Sequence, residues 1–217
     1  MIVDLNLQNK IVVVIGGGKE AEKRITSLLK EECQITVFAT EINPAINKLA
    51  KSKKIKNKKQ KIVDTKFMVQ IKPDLIITTT DDREINKKII RDAKKKKIIV
   101  YSSDDPEQSD FANPAIIDFE KIIQIAIFTG GQSPAMSKKL RVKSEKIFKK
   151  IIKKEDIGQI KIQKIARGMA KDIISNQQDR RDCLRSIMND NDIDQLIKDG
   201  QLKKAEKRAV EILRNWK

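Results

Sequence analysis

A glycine-rich turn near the N-terminus has the residue types and spacing of a phosphate-binding loop. It follows the apolar run KIVVVI and consists of Gly16, Gly17, Gly18, Lys19, Glu20 and Ala21. These residues fit G-x-G-x-x-A, in which the glycines permit a tight turn and let backbone N–H groups approach a pyrophosphate. The alanine lets a following helix pack closely, and the N-terminus of that helix carries a partial positive charge. The turn predicts dinucleotide binding, with a purely structural turn as the alternative.

An acidic residue, Glu41, follows the motif at about the distance expected for a ribose contact. A carboxylate there accepts hydrogen bonds from ribose hydroxyls and repels a 2′-phosphate. NAD is therefore the expected cofactor, in preference to NADP. The alternative is that Glu41 is an exposed loop acid.

A polar loop, TTTDD, follows the apolar run DLII. Ligands of doubly wound sheets gather at the carboxyl ends of strands, so Thr79, Thr80 and Asp81 are expected beside the cofactor. Asp81 or Asp82 is also expected to cap the next helix.

The chain contains no histidine, so a carboxylate is the obvious candidate for a proton acceptor. Three aspartates, Asp104, Asp105 and Asp110, lie in the segment SSDDPEQSDF after another apolar run. Asp104 is closest to the end of that run and is the predicted catalytic residue. A solvated turn with capping acids is the alternative.

A second glycine-rich turn, TGGQSP, contains Thr129, Gly130, Gly131 and Ser133. Its amides and hydroxyls could hold an anion such as a substrate carboxylate, or the segment could simply connect a strand to a helix. Ser133 followed by Pro134 is typical of a helix start, with serine as N-cap and proline in the first turn.

The elements that must position these residues alternate between strand-like and helix-like segments in the first half of the chain. Expected strands are KIVVVI, QITVFAT, KIVD at 61–64, DLIITTT and KIIVYSS, and helices are expected between them, including residues 43–53. This alternation predicts an α/β fold, a Rossmann-like parallel sheet with helices on both faces.

The pattern changes near residues 111–114. NPAIID and KIIQIAIF are two short apolar segments that could form a hairpin, and the chain from about Ala135 onward is expected to be helical. A nucleotide-binding domain followed by a mostly helical remainder is the predicted organisation.

Composition narrows the class of protein further. The net charge of +17 suits an anionic substrate, although lysine-rich solvated helices explain it equally well. Nucleic acid is disfavoured as a partner because no aromatic residue interrupts the lysine run at 48–61. Two widely spaced cysteines and the absence of a long apolar run predict a cytoplasmic protein without a membrane segment.

Four segments together resemble the precorrin-2 dehydrogenase/sirohydrochlorin ferrochelatase family, which includes the N-terminal module of sirohaem synthases. They are DLNLQNKIVVVIGGGKEAEKR, TTTDDREIN, SSDDPEQSDFANPAIID and TGGQSPAMSKKLR, and the resemblance covers roughly residues 1–145.

The resemblance implies an NAD-dependent oxidation of precorrin-2, a tetrapyrrole rich in carboxylates, to sirohydrochlorin. The family's catalytic aspartate falls on Asp104 and its serine before Gly-Gly falls on Thr129. In some members the same cavity inserts a metal, so Fe²⁺ or Co²⁺ would be a further substrate. Lys138 is expected to help hold the substrate carboxylates, with a solvated helix face as the alternative.

Members of this family are homodimers that exchange the segment after the nucleotide domain. The resemblance thus implies an NAD-binding domain at 1–112, a dimerisation segment at 113–145 and a helical domain at 146–217.

Besides Thr129, the chain departs from the family's usual pattern at Glu20, Tyr101 and Ser102. A carboxylate at Glu20 would repel a pyrophosphate if it pointed inward, so we expect it to face solvent. A regulatory NAD-binding module without catalysis is the alternative function. It would need neither Asp104 nor the TGGQSP turn.

Overall fold

A computed structural model describes residues 2–216 of the chain. The chain folds into two compact units, the first ending at Asn113 and the second beginning at Pro114.

The first unit is a five-stranded parallel sheet with helices on both faces, as the strand–helix alternation predicted. The strand order is β3-β2-β1-β4-β5. The chain adds β2 and β3 on one side of β1 and then adds β4 and β5 on the other side, so the direction of the connections reverses next to β1. The strands are β1 (Ile11–Ile15), β2 (Gln34–Ala39), β3 (Lys56–Lys59), β4 (Leu75–Thr78) and β5 (Ile99–Ser102). The helices are α1 (Lys19–Leu28), α2 (Pro44–Lys51), α3 (Phe67–Ile71) and α4 (Arg83–Lys95).

Side chains alternate along β1 between two hydrophobic cores, one on each face of the sheet. Val12 and Val14 pack with the buried residues of α1 and α2, including Ile25 and Ile46. Val13 and Ile15 pack in the other core, which contains the buried side chains Phe67, Met68, Ile85 and Ile89 of α3 and α4. Because β1 is buried on both faces, its apolar run is continuous rather than alternating.

The third strand lies at Lys56–Lys59, so its expected position at residues 61–64 was wrong. All four of its residues are exposed, and it is an edge strand held by parallel pairing with β2. Ile62, which suggested a strand, is a buried loop residue of the second core. Charged residues are common on edge strands because they discourage pairing with another chain, and they remove the apolar signal that identifies a strand.

The second unit begins with an antiparallel hairpin and continues as helices. The hairpin consists of β6 (Ala115–Phe119) and β7 (Ile123–Ile127), which confirms the predicted pairing. The helices are α5 (Pro134–Ile151), α6 (Lys154–Ile173), α7 (Gln177–Met188), α8 (Asn191–Lys198) and α9 (Leu202–Arg214). Helices α6 to α9 share one core, whose fully buried members include Cys183, Ile187, Ile193 and Leu213.

Over residues 2–216, no helix has the length and apolarity needed to cross a bilayer. The same residues contain no group of three acidic or cysteine side chains arranged to hold a metal ion.

Candidate functional site

The first glycine turn lies where the direction of strand connections reverses. It leaves β1, whose neighbours are β2 on one side and β4 on the other. The Gly16 N–H donates to the Phe38 carbonyl over 2.9 Å, and the Thr79 N–H donates to the Ile15 carbonyl over 2.8 Å. The turn is thus fixed to both neighbouring strands at the edge where doubly wound sheets bind ligands.

Glycine is required at two positions of this turn for different steric reasons. Gly16 has φ +120°, and a Cβ there would collide with the side chain and backbone of Thr79. A Cβ on Gly17 would collide with the backbone carbonyl of Glu41. A Cβ on Gly18 would instead meet open space, with no atom of the described chain within 4 Å. The turn is therefore packed on its inner side and open at Gly18.

Helix α1 starts at this opening without a side-chain cap. Its N-cap residue is Gly18, which has no side chain to accept hydrogen bonds from the first amides. In contrast, Asn43 caps α2 through Ile46, and Asp82 caps α4 through Ile85. The first amides of an α-helix lack partners within the helix, so an uncapped N-terminus is suited to an anion.

Asn43 fixes the turn from the α2 side, a role that the sequence analysis missed. Its N–H donates to the Gly17 carbonyl over 2.9 Å, and its Nδ2 donates to Glu22 Oε2 over 2.6 Å. The sequence predicted only a helix over residues 43–53, and the contacts of Asn43 to Gly17 and Glu22 depend on the tertiary fold.

The remaining residues of the motif divide into one buried and two accessible side chains. Ala21 is fully buried, which lets α1 pack against the sheet, and Lys19 is exposed. Glu20 is half-buried rather than fully exposed, and its carboxylate pairs with Arg24 and with Lys23. Partial burial raises the pKa of Glu20, but the Lys23 hydrogen bond and the nearby Arg24 and Lys23 charges outweigh it and lower that pKa overall.

The polar loops after β2 and β4 line the same edge of the sheet. Glu41 is exposed, and its backbone carbonyl lies against Gly17. Thr79 Oγ1 donates to the Ile15 carbonyl, and Thr80 Oγ1 donates to Asn86 Oδ1. Asp81 is exposed and Asp82 is the helix cap, so the predicted capping role belongs to Asp82.

Asp104 follows β5 and is exposed, and two buried hydroxyls support it. Thr78 Oγ1 lies 2.6 Å from Ser102 Oγ, and both residues are fully buried. Ser102 Oγ donates to Asp104 Oδ1, so the Thr78 hydroxyl must donate to Ser102. This chain of hydrogen bonds ends on the Asp104 carboxylate and fixes its orientation at the end of β5.

The two other aspartates of this segment have structural partners. Asp105 Oδ1 accepts from the Gln108 N–H over 3.2 Å, and Asp110 Oδ2 accepts from the Val100 N–H over 2.9 Å. Of the three carboxylates, Asp104 is the one that no backbone N–H holds in this way among the described residues.

Tyr101 precedes this segment on β5 and contacts helix α1. Arg24 Nη2 donates to the Tyr101 hydroxyl over 2.9 Å, and the guanidinium carbon lies 4.8 Å from the ring centroid. Tyr101 also packs against Phe111, with ring centroids 5.2 Å apart. Arg24 was not identified from the sequence, because its partner is 77 positions away.

The second glycine turn belongs to the second unit and is closed by its own side chains. Ser133 Oγ caps α5 by accepting from the Met136 N–H over 3.2 Å, which confirms its predicted capping role. Thr129 Oγ1 donates to the Ser133 carbonyl and lies 2.9 Å from Ser137 Oγ. Gly130 and Gly131 have φ of +63° and +79°, and Lys138 is exposed on α5.

Comparison with known proteins places the chain in a family. Residues 3–115 match a family described as "Putative NAD(P)-binding". The "Putative precorrin-2 dehydrogenase" of Methanocaldococcus jannaschii is 30% identical over 188 residues, which cover 84% of this chain and 87% of the relative. "Siroheme synthase 3" of Aeromonas hydrophila is 33% identical over 142 residues, which cover 65% of this chain and 30% of that protein. The chain thus spans about 30% of the length of the siroheme synthases that it matches.

The fold is shared with a solved structure titled "SirC, precorrin-2 dehydrogenase". The TM-score is 0.70 at 20% identity, and the match covers 97% of this chain and 99% of that one. Sequence and fold agree, and the chain belongs to the NAD(P)-binding family of precorrin-2 dehydrogenases and siroheme synthases.

Proposed function

We propose that this protein oxidises precorrin-2 to sirohydrochlorin with NAD⁺ in siroheme biosynthesis. The observation that carries the proposal is the uncapped glycine turn at the same sheet edge as Asp104. A reduced tetrapyrrole loses a hydride and a proton in this reaction, so the protein needs a site for a hydride acceptor and a group that takes a proton. Relatives named precorrin-2 dehydrogenase and siroheme synthase support the choice of substrate.

The residues of the glycine turn fit the pyrophosphate of a dinucleotide. The amides at the start of α1 would bind its oxygens, and the open space at Gly18 lets it approach the backbone. Glu41 would accept hydrogen bonds from the adenosine ribose, and Thr79, Thr80 and Asp81 would lie alongside. When bound there, NAD⁺ supplies the hydride acceptor. The exposed carboxylate of Glu41 favours NAD⁺ over NADP⁺ because it repels a 2′-phosphate.

Asp104 is the proposed proton acceptor. Its carboxylate is exposed at the end of β5, and the Ser102 hydroxyl orients it. Ser102 and Thr78 act through Asp104 and are positioning residues. A positioned carboxylate of this kind contributes roughly 10²- to 10⁴-fold to a rate.

The second glycine turn and Lys138 are the proposed contacts for substrate carboxylates. Gly130, Gly131 and Lys138 are exposed, and the chain's net charge of +17 suits a polyanionic ligand. The hydroxyls of Thr129 and Ser133 already make hydrogen bonds within the turn. We therefore expect these two residues to hold the conformation of the turn, while its glycines and Lys138 make the main contacts with the substrate.

We further propose that the protein is a homodimer formed through residues 113–145. Five large apolar side chains of this segment are exposed in the single chain: Ile116, Phe128, Met136, Leu140 and Val142. Large apolar side chains that a single chain leaves exposed in one segment are candidates for burial against a partner subunit. Light scattering should give twice the chain mass, and Leu140→Glu should shift the protein to monomer; a monomeric unsubstituted protein contradicts the proposal.

The oxidation is tested by absorbance with NAD⁺ and enzymatically made precorrin-2. We expect NADH and the sirohydrochlorin spectrum to appear together. Asp104→Asn should lower kcat by roughly 10²- to 10⁴-fold and leave the Kd for NAD⁺ within about twofold, because the substitution removes the proton acceptor alone. Asp105→Asn is the matched control, since an amide oxygen can still accept from the Gln108 N–H. Normal turnover by Asp104→Asn would disprove the assignment, and NAD⁺ binding without any turnover would favour a regulatory module.

Metal insertion is the second proposed activity, with Fe²⁺ or Co²⁺ as a substrate. The name siroheme synthase of several relatives supports it. Adding either ion to sirohydrochlorin should produce the metallated spectrum faster than in a protein-free control. An equal rate in both would limit the protein to the oxidation.

A further inference from the structure

A glutamate in the first turn of α1 is unfavourable for the anion that we propose to bind there. Side chains of an α-helix tilt toward its N-terminus, so the Glu20 carboxylate would by default lean toward the first amides. A negative charge at that place competes with a pyrophosphate for the amides and repels it. The protein must therefore control where the Glu20 carboxylate lies.

Two cations draw this carboxylate in the other direction. Arg24, four positions further along the helix, pairs with Glu20 Oε1, and Lys23 Nζ lies 3.1 Å from Glu20 Oε2. Both partners belong to the next turn of α1. The carboxylate is thus directed along the helix and away from the glycine turn.

The two cations differ in how firmly they are held. The Lys23 side chain is 73% exposed, whereas that of Arg24 is 22% exposed. Arg24 is bound by the Tyr101 hydroxyl and lies over the Tyr101 ring, which is itself buried. A cation on an aromatic face with an additional hydrogen bond is a fixed charge, while an exposed lysine is mobile and screened by solvent.

We propose that Arg24, anchored by Tyr101, is a positioning residue for the cofactor: it holds the Glu20 carboxylate away from the phosphate-binding amides. This inference rests on the proposed binding of NAD⁺ at the first glycine turn. Two departures from the family pattern, Glu20 and Tyr101, are then functionally linked, since Tyr101 anchors the cation that neutralises Glu20.

The test is a double-mutant cycle on the full chain, with the Kd for NAD⁺ measured by calorimetry at low salt. Arg24→Gln should raise the Kd on the order of tenfold, because it releases a like charge beside the pyrophosphate. Glu20→Gln alone should lower the Kd slightly because it removes a negative charge from the first turn of α1, and the double variant should return close to the unsubstituted value. Lys23→Gln is the matched control, since it removes the same formal charge from the same helix and should have a smaller effect than Arg24→Gln.

Two further variants separate charge from packing. Arg24→Lys should recover part of the affinity because it keeps the charge, and Tyr101→Phe should weaken NAD⁺ binding slightly by freeing the guanidinium. If the double variant binds NAD⁺ as weakly as Arg24→Gln, Arg24 acts through its packing on Tyr101 and the inference is wrong. If the unsubstituted chain binds no NAD⁺, the proposed function fails and this inference fails with it.

Discussion

Two glycine-rich turns connect a strand to a helix in this protein, and they differ in how the helix begins. The turn before α1 has Gly18 at the N-cap and leaves the first amides without a side-chain cap. The turn before α5 has Ser133 at the N-cap, and its hydroxyl accepts from the Met136 N–H. Thr129 closes the second turn further by donating to the Ser133 carbonyl.

The difference shows that the role of a glycine-rich turn depends on which group accepts hydrogen bonds from the first amides of the next helix. At α5 the protein supplies its own acceptor, so the turn is stable without a ligand. At α1 an external anion can take the same place. Gly16 and Gly17 are packed there against Thr79 and Glu41, whereas Gly18 is open to solvent. The two turns should accordingly respond differently to substitution.

The largest expected difference is between Gly17→Ala and Gly131→Ala. A Cβ at Gly17 collides with the Glu41 carbonyl, so the substitution should displace the turn, abolish NAD⁺ binding and reduce the free energy of unfolding by about 2 kcal/mol. Gly131 has room for a Cβ but a φ of +79°, so its substitution should cost about 1 kcal/mol of stability. Calorimetry and urea unfolding measure both quantities. A similar loss of NAD⁺ affinity in both variants would contradict the claim that only the first turn binds the cofactor.

A smaller effect is expected at Glu41, which belongs to the first turn alone. Glu41→Gln removes the charge that repels a 2′-phosphate, so the ratio of the Kd for NADP⁺ to that for NAD⁺ should fall by roughly tenfold. Stability should not change, because the side chain is exposed. An unchanged ratio would mean that Glu41 is a loop acid that does not contact the ribose.

The smallest effect is expected at Ser133. Ser133→Ala leaves α5 without its cap and should reduce the free energy of unfolding by about 1 kcal/mol. The Kd for NAD⁺ should stay within about twofold of the original value. Weaker NAD⁺ binding by this variant would show that the two turns are not independent.

Most of the sheet could be predicted from the sequence because its strands are buried. β1, β2, β4 and β5 are apolar runs that any parallel sheet covered on both faces requires. β3 could not be recognised, since KNKK carries no apolar residue and its pairing with β2 is a property of the assembled sheet. The short helix α3 has only five residues, too few for a helical period to be distinguished.

The candidate site was predictable where one local segment contains the whole signal. The glycine spacing, the Ser133 cap and the position of Asp104 after an apolar run are of this kind. The contacts of Arg24 with Tyr101 and of Asn43 with Glu22 join residues that are distant in sequence, so no spacing rule identifies them. The Thr78–Ser102–Asp104 hydrogen bonds likewise depend on the register of β4 with β5.

Backbone amide chemical shifts during a titration with NAD⁺ test the central claim most directly, because they report the binding site residue by residue. We expect the largest changes at Gly17, Gly18 and Lys19, with saturation as the cofactor fills the first turn. The amides of Gly130, Gly131 and Ser133 should shift little. Saturable changes confined to the second turn, or the absence of changes at Gly18 and Lys19, would contradict the account.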